Sequence, residues 1–396
     1  MQLSLKIIRD PINSLIYLER YVCTKDYHVL ANYSEVSKSY NPQTRNDGFE
    51  LPLLNFPINL HGDVNSIPNI LKSHFPMHPD TVEDLKIKME EIVQYIKVIP
   101  TSSMRTVLVD AKEKKVFLKL SINRYIARSK RKLSSKQIIH GLAVTKDIEK
   151  ALSEKSMQLK DFAFLPEVAG IVTTIHGEEI GAVVRSVEPY PKNNTDRGYI
   201  PFFALYSSDI NNPSDEPLLV QLIRHNSVDP LDFTLTKIIE PVIRHFNYFA
   251  SEKGLLLQAH AQNTLLEINP DFSIGRIIYR DFGSVTIDGE VRTKKRLSDF
   301  KNYMINGKDN DRVESSIEYS LRYDEFMTAH SFELIGKILE KNFKVNIIIF
   351  KEKIKEIFFN TMTCKDKFPK VQYSIPVELS IGKFKPFVLK EIPDYR

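Results

Sequence analysis

Cysteine is nearly absent: the chain has two, Cys23 and Cys364, far apart and in no ligand-like spacing. That scarcity argues against a disulfide framework and against a zinc cluster, and it makes a reducing compartment the default. No apolar run approaches the roughly 18 residues that a membrane span needs. The opening residues, MQLSLKIIRDPINSLIYLERYVC, are interrupted by Lys6, Arg9 and Asp10, so they lack the apolar core of a secretory signal. The expected location is therefore cytoplasmic. Internal repeats and low-complexity tracts are missing as well, which excludes solenoids and disordered linkers as the organising theme.

What is present is globular in kind. The 396 residues are 42% hydrophobic and 27% charged, enough for two or three domains. The net charge of +5 is mildly basic. The densest cationic run is RYIARSKRK, Arg124 to Lys132. No zinc-finger spacing, RNP-like aromatic motif or Gly-rich RNA clamp accompanies it, so no nucleic-acid partner is expected. A solvated face and a pocket for a polyanion such as ATP both remain open at this point.

Periodicity predicts a helix near 10–22, a polar loop ending at Gly48, and a helix over 80–97 carrying Leu85, Ile87, Met89, Ile92 and Ile96. TVLVD (106–110) and VFLKLSI (116–122) flank AKEKK as a hairpin. Ser134 and Ser135 open a helix to about 154, and residues 170–187 form a second hairpin turning at His176–Glu179. Helices follow at 235–252, 326–342 and 350–361, with a third hairpin at 258–283. Strands in the middle and helices elsewhere indicate an α+β protein. The expected division is a short N-terminal region (1–99), a β-rich phosphate-binding middle (100–230) and a C-terminal region (231–396).

Two hairpins carry chemistry. A turn centred on residue 113 sets Lys119 opposite Val107 and puts Ser103, Arg105 and Lys119 on one face. Such a face is either an ordinary charged surface or a triphosphate cradle, since Arg forks and Lys point charges both suit phosphate oxygens. In QAHAQNTLLEINPDFSIGRIIYRDFG (258–283), a turn centred on 272 sets Asn263, just after His260, opposite Asp281. An amide and a carboxylate meeting at a strand end are hard oxygen ligands of the type Mg2+ accepts beside ATP phosphates. Protein kinases also use an Asn and a DFG aspartate for metal. Their catalytic base would fall at Gln258, which cannot accept a proton, and no Gly-rich loop precedes a Val-Ala-x-Lys strand. ATP without a hydroxyl-activating base points to a group already nucleophilic, such as a carboxylate.

These residues resemble the NRPS-independent siderophore (NIS) synthetases, the aerobactin-synthetase-like IucA/IucC family. HFPMHPD (74–80), PTSSMRT (100–106), FLKLSINRYIARSKR (117–131), GAVVRSVEPY, IPFFALYSSD, GLLLQAHAQNTLL with YRDFG, and MTAHSFELIGKILEKNFKV follow the family's order over roughly residues 70–360. The resemblance implies a cupped-hand fold with a distantly kinase-like C-terminal portion. It also implies ATP-dependent ligation, in which citrate or a citrate-like acid is adenylated and condensed with an amine or alcohol in siderophore biosynthesis. Carried over residue by residue, Ser103, Arg105, Thr106, Lys119, Arg131, His260 and Asn263 would bind ATP, and Asp281 with Asn263 would hold Mg2+. His260 and Arg131 would also lie near the carboxylate as catalytic residues.

The departures are specific. The family's further N-terminal His-Pro-x-His-Pro-x-x-Lys portion is not found, His-Pro-Trp-Gln reads His78-Pro79-Asp80-Thr81, Gln258 replaces a glutamate, and Ala127 replaces a threonine. Near the C-terminus PVELSIGKF offers Glu378 and Lys383 where a Lys and an Arg are expected. The partners implied are small-molecule carboxylate and amine substrates, with a homodimer or a partner subunit supplying the missing portion. A non-catalytic or split-subunit relative that binds nucleotide is the alternative these departures keep open.

Overall fold

The computed structural model describes residues 2–23, 35–43, 47–126, 129–193, 195–300, 304–305, 315–370, 372–374, 388–390 and 395–396. Strands β1 (Phe49–Leu54), β2 (Ile58–Gly62), β3 (Phe75–Pro76), β4 (Ile92–Pro100), β5 (Thr106–Asp110) and β6 (Lys115–Leu120) come first, followed by a small hairpin of β7 (Ile122–Ile126) and β8 (Ser129–Arg131). After the helix Ser135–Ser153 come β9 (Phe162–Phe164), β10 (Glu167–Ile175), β11 (Glu178–Ser186) and β12 (Gly198–Pro201). The C-terminal part adds β13 (Leu255–Leu256), β14 (Thr264–Ile268) and β15 (Ile274–Tyr279) among helices. Among the described residues no helix is long and apolar enough to cross a membrane.

Two sheets organise these elements. The larger has eight strands in the order β2-β10-β11-β6-β5-β4-β1-β3, and the smaller runs β12-β14-β15-β9. One face of the large sheet is a continuous apolar layer of Leu51, Val107, Val109, Leu118, Ala182 and Val184, closed by Ile67, Leu71, Phe75 and Met77. Its other face makes two separate apolar contacts. Leu108 and Phe117 meet Ala163 and Leu165, Leu265 and Ile278 of the small sheet, and Leu15 and Ile16 of the N-terminal helix Pro11–Tyr21. Farther along, Val172 and Val183 pack on Leu133, Ile138 and Leu142. Polar side chains occupy the strip between these contacts, and that strip is the site described below.

Local chemistry explains most elements. Pro11 opens the helix Pro11–Tyr21, where its missing N–H costs nothing. Ser134 and Gln137 form a reciprocal capping box at the start of Ser135–Ser153. The β10–β11 hairpin closes on His176 and Gly177, both in the left-handed region, which is the geometry two-residue hairpin turns prefer. The helices expected near 10–22, from Ser135 to about 154, and at 350–361 all form.

The helix expected over 80–97 does not. Only Pro79–Asp84 is α-helical there, Lys86 turns left-handed, Met89–Glu91 makes a single 3-10 turn, and Ile92–Pro100 is a strand whose exposure alternates over its first residues. Val93, Ile96, Val98 and Ile99 are β-branched, and pairing with β1 and β5 gives them a sheet surface to fill.

Candidate functional site

The β5–β6 hairpin turns over Lys112 and Glu113, with Ala111 and Lys114 exchanging backbone hydrogen bonds. The turn centre therefore lies half a residue before the expected one, and Lys119 pairs with Thr106 rather than Val107. This corrects the expected face: Thr106 and Lys119 share it, and Arg105 precedes the strand. Arg105 nonetheless turns inward, donating from Nη1 to the Arg131 carbonyl at 3.0 Å. The turn that redirects the chain is Thr101–Arg105, where Met104 is left-handed (φ 62°) and Ser103 Oγ accepts the Thr106 N–H at 3.0 Å.

Strand pairing then fills the same face. Val183 lies opposite Lys119, and Arg185, two residues on, lies opposite Phe117. Glu167 pairs with Arg185 across the β10–β11 ladder. Arg185 Nη2 reaches Glu167 Oε1 at 3.3 Å, and both side chains are almost fully buried.

The third hairpin closes over this strip. Its ladder pairs Thr264 with Tyr279 and Leu265 with Ile278, and it carries an extra residue between Ile274 and Ile277. The turn is centred on residue 271, not 272, and the bulge recovers only part of that offset, which leaves the ladder one residue from expectation. Asn263 accordingly lies opposite Arg280, whose N–H it accepts at 3.0 Å, and not opposite Asp281. Asp281 is left-handed (φ 75°) and swings away from the ladder onto the large sheet. There its Oδ1 ion-pairs with Lys119 Nζ and lies 3.6 Å from Arg185 Nη2. Lys119 is 7% exposed and Asp281 27%.

The electrostatics follow from this packing. Burial alone would raise the Asp281 carboxyl, but Lys119, Arg185 and Arg105 hold it well below the usual carboxylate range. Burial, with Arg105 and Arg185 nearby, lowers the Lys119 ammonium against the opposing pull of Asp281. Burial, with Arg131 alongside, brings Arg105 down to about 10. Lys119, Arg105, Arg131 and Arg185 thus face Asp281 and Glu167, which leaves a surplus of positive charge in a desolvated strip. Such a strip suits an anion with several oxygens.

His260 borders the strip. Its Nδ1 accepts the Gln262 N–H at 3.2 Å, so the ring is neutral with its proton on Nε2. Burial, reinforced by His330, pulls it down to about 3. Phe326 meets the ring edge-on at 5.6 Å.

The sequence-derived residues Arg105, Thr106, Lys119, Arg131 and Asp281 converge here, with Ser103, His260 and the buried Asn263 on the adjoining turns. Arg185 and Glu167 were not anticipated. An arginine interrupting the apolar run GAVVRSV was the available signal. Gln258 donates to the Ser284 carbonyl at 2.7 Å, a structural bond. Asp80 accepts from Ser37 N at 2.8 Å and pairs with Arg124, so His78-Pro79-Asp80 anchors the 37–40 turn. Ala127, Glu378 and Lys383 lie outside the described residues.

The donor set fits a polyphosphate. For Mg2+ the fit is narrower: among the described residues no group of three or more His, Cys, Asp or Glu is placed to hold an ion. Mg2+ characteristically takes one or two carboxylates and completes its shell with phosphates and water, a demand Asp281 can meet only in part.

Gly141 sets the spacing between the helix Ser135–Ser153 and the site. A Cβ there would stand 2.1 Å from Glu167 Oε2 and 3.2 Å from the Gly283 Cα. Gly141→Ala is expected to cost about 1–3 kcal/mol by overpacking, read as a lower urea midpoint, and to displace Glu167 from Arg185. A wild-type midpoint would show that the helix has room to move.

Comparison with known proteins agrees with the fold. Residues 79–207 match the model of the IucA / IucC family. The petrobactin biosynthesis protein AsbB from Bacillus anthracis str. Sterne superposes with a TM-score of 0.67 at 16% identity, over 87% of this chain and 67% of that one. ATP-bound aerobactin synthetase IucA from a hypervirulent pathotype of Klebsiella pneumoniae gives 0.62 at 14% identity, over 90% and 72%. Aerobactin synthetase IucC from the same source gives 0.63 at 14%, over 92% and 73%. No curated protein matches by sequence. The mixed helix and antiparallel-sheet architecture is that of the NIS synthetases.

Proposed function

We propose, from the match of residues 79–207 to the IucA / IucC family model, that the chain is an ATP-dependent ligase. It activates a carboxylate, citrate or a citrate-like acid, as the acyl-adenylate and condenses it with an amine or alcohol in siderophore biosynthesis. The observation that carries this reading is the buried strip in which Lys119, Arg105 and Arg185 surround Asp281. The ATP bound to the IucA relative supports it.

ATP and Mg2+ would supply the activating phosphate chemistry and part of the charge neutralisation. In this reading Lys119 holds phosphate oxygens as a point charge, and Arg105 and Arg131 hold them as forks. Ser103, whose Oγ already accepts the Thr106 N–H, keeps its own proton to donate, and Thr106 supports it. Asp281 and Asn263 are the proposed Mg2+ ligands. His260, neutral with a proton at Nε2, donates to a phosphate or carboxylate oxygen beside Arg131. A carboxylate approaching a polyphosphate meets like charge, and preorganised cations lower that barrier without a covalent enzyme intermediate.

The test incubates the protein with Mg-ATP, citrate and related acids, with hydroxylamine as a general nucleophile. AMP and pyrophosphate formed only with one acid are expected, together with its hydroxamate. ADP as the nucleotide product would contradict the reading.

A further inference from the structure

The N-terminal helix Pro11–Tyr21 sends one carboxylate into the interior. Glu19 is 1% exposed. Its Oε2 accepts the Ser102 backbone N–H at 3.1 Å and also the Ser102 hydroxyl, while its Oε1 accepts from Arg280 Nη2. Arg280 Nε in turn donates to the Gln262 carbonyl at 2.9 Å, and Gln262 Nε2 donates back to Ser102 Oγ at 3.1 Å. The Gln262 N–H is the donor that fixes the His260 ring. The ring of contacts is closed, and each member touches a segment that lines the site.

Two of those segments contain a non-glycine residue in the left-handed region, Met104 beside Ser102 and Asp281 beside Arg280. Such residues persist only where surrounding contacts over-determine them. Glu19 is the group common to both. Placing a carboxylate between one arginine and two donors of a phosphate-binding turn satisfies all three and ties the helix Pro11–Tyr21 to Ser102 and to Arg280, 83 and 261 residues from Glu19 in sequence.

We infer that Glu19 is a positioning residue of the nucleotide site: it fastens the Thr101–Arg105 turn to the His260–Asn263 and Arg280–Asp281 turns, so that the phosphate-gripping and metal-side groups face one another. The inference rests on the nucleotide-site reading above.

The test compares Glu19→Gln, Ser102→Ala, the double variant and Lys119→Ala in the full chain. Mg-ATP binding is read by calorimetry, and the unfolding midpoint of each nucleotide-free protein is recorded. Glu19→Gln keeps the size but turns one acceptor into a donor facing donors. It is expected to raise the Kd about tenfold, the scale of one charge-assisted contact. Ser102→Ala raises it about threefold, and the double variant is no weaker than Glu19→Gln alone because both break one network. In the hydroxamate assay the loss falls on KM for ATP while kcat stays within about twofold, as for a uniform binding contribution.

A folded Glu19→Gln with wild-type affinity, beside a Lys119→Ala that has lost it, overturns the inference and leaves the function standing. So does a fall in kcat at constant KM. If Glu19→Gln fails to fold, Ser102→Ala decides alone: wild-type affinity rejects the inference, and a threefold loss supports it. Undiminished binding in Lys119→Ala, or none in the wild type, rejects the nucleotide-site reading itself.

Discussion

Lys119→Ala is expected to weaken Mg-ATP binding about a hundredfold, the loss typical of removing one cation from a desolvated charged contact. The ammonium is 7% exposed at the centre of the strip, and no neighbour can replace it from the same strand position. The cost to stability is of the same order, about 1–3 kcal/mol, moderated because Asp281 keeps Arg185 at 3.6 Å and part of its surface in water. Calorimetry and a urea melt on one preparation measure both, and unchanged affinity would remove Lys119 from the site.

His260→Ala is expected to cut AMP formation at least about a hundredfold, the scale of losing one preorganised donor, with the fold retained. The imidazole lies near 3, far below its ordinary 6.5, so it is neutral throughout the physiological range. The pH–rate profile should show no limb from this residue between about pH 5 and 8. Stability carries the opposite signature. Between about 6.5 and 3 the unfolded histidine binds a proton that the folded one refuses, so native stability falls as the solution is acidified through that window. His78, also held near 3 by burial, acts with the same sign. His260→Ala should flatten part of that slope. Full residual activity would show that the ring only packs against Phe326.

Much of this was legible beforehand. The Ser134 capping box, the His176–Gly177 turn and the alternating strands each announce themselves within a few residues, because their causes are local. The convergence of Lys119 with Asp281 was legible in kind, though both hairpin registers were off by one. A two-residue turn and a bulge decide those registers, and neither has a distinctive sequence. The strand Ile92–Pro100 was misread since its apolar spacing also suits a helix, and only its neighbours in the sheet select the extended form. Glu167 and Glu19 were invisible for a different reason, and Arg185 was signalled only by its interruption of an apolar run. Each lies in an unremarkable apolar stretch, and its meaning comes from partners that only sheet pairing and packing bring near.

The closed ring around Glu19 and the Lys119–Asp281 contact join residues 261 and 162 positions apart. Contacts of such long range form late in folding, after the loops between them have closed. The Arg185–Glu167 pair lies within one hairpin, but the contacts that close the site are made only when the native topology is complete. A nucleotide bound there would act on the whole folded state and not on one lobe. At a ligand concentration of a hundred times Kd it would add about 2.7 kcal/mol to global unfolding. Hydrogen exchange would then slow in the distant apolar layer under Leu51 and Val107 as well as at the strip itself.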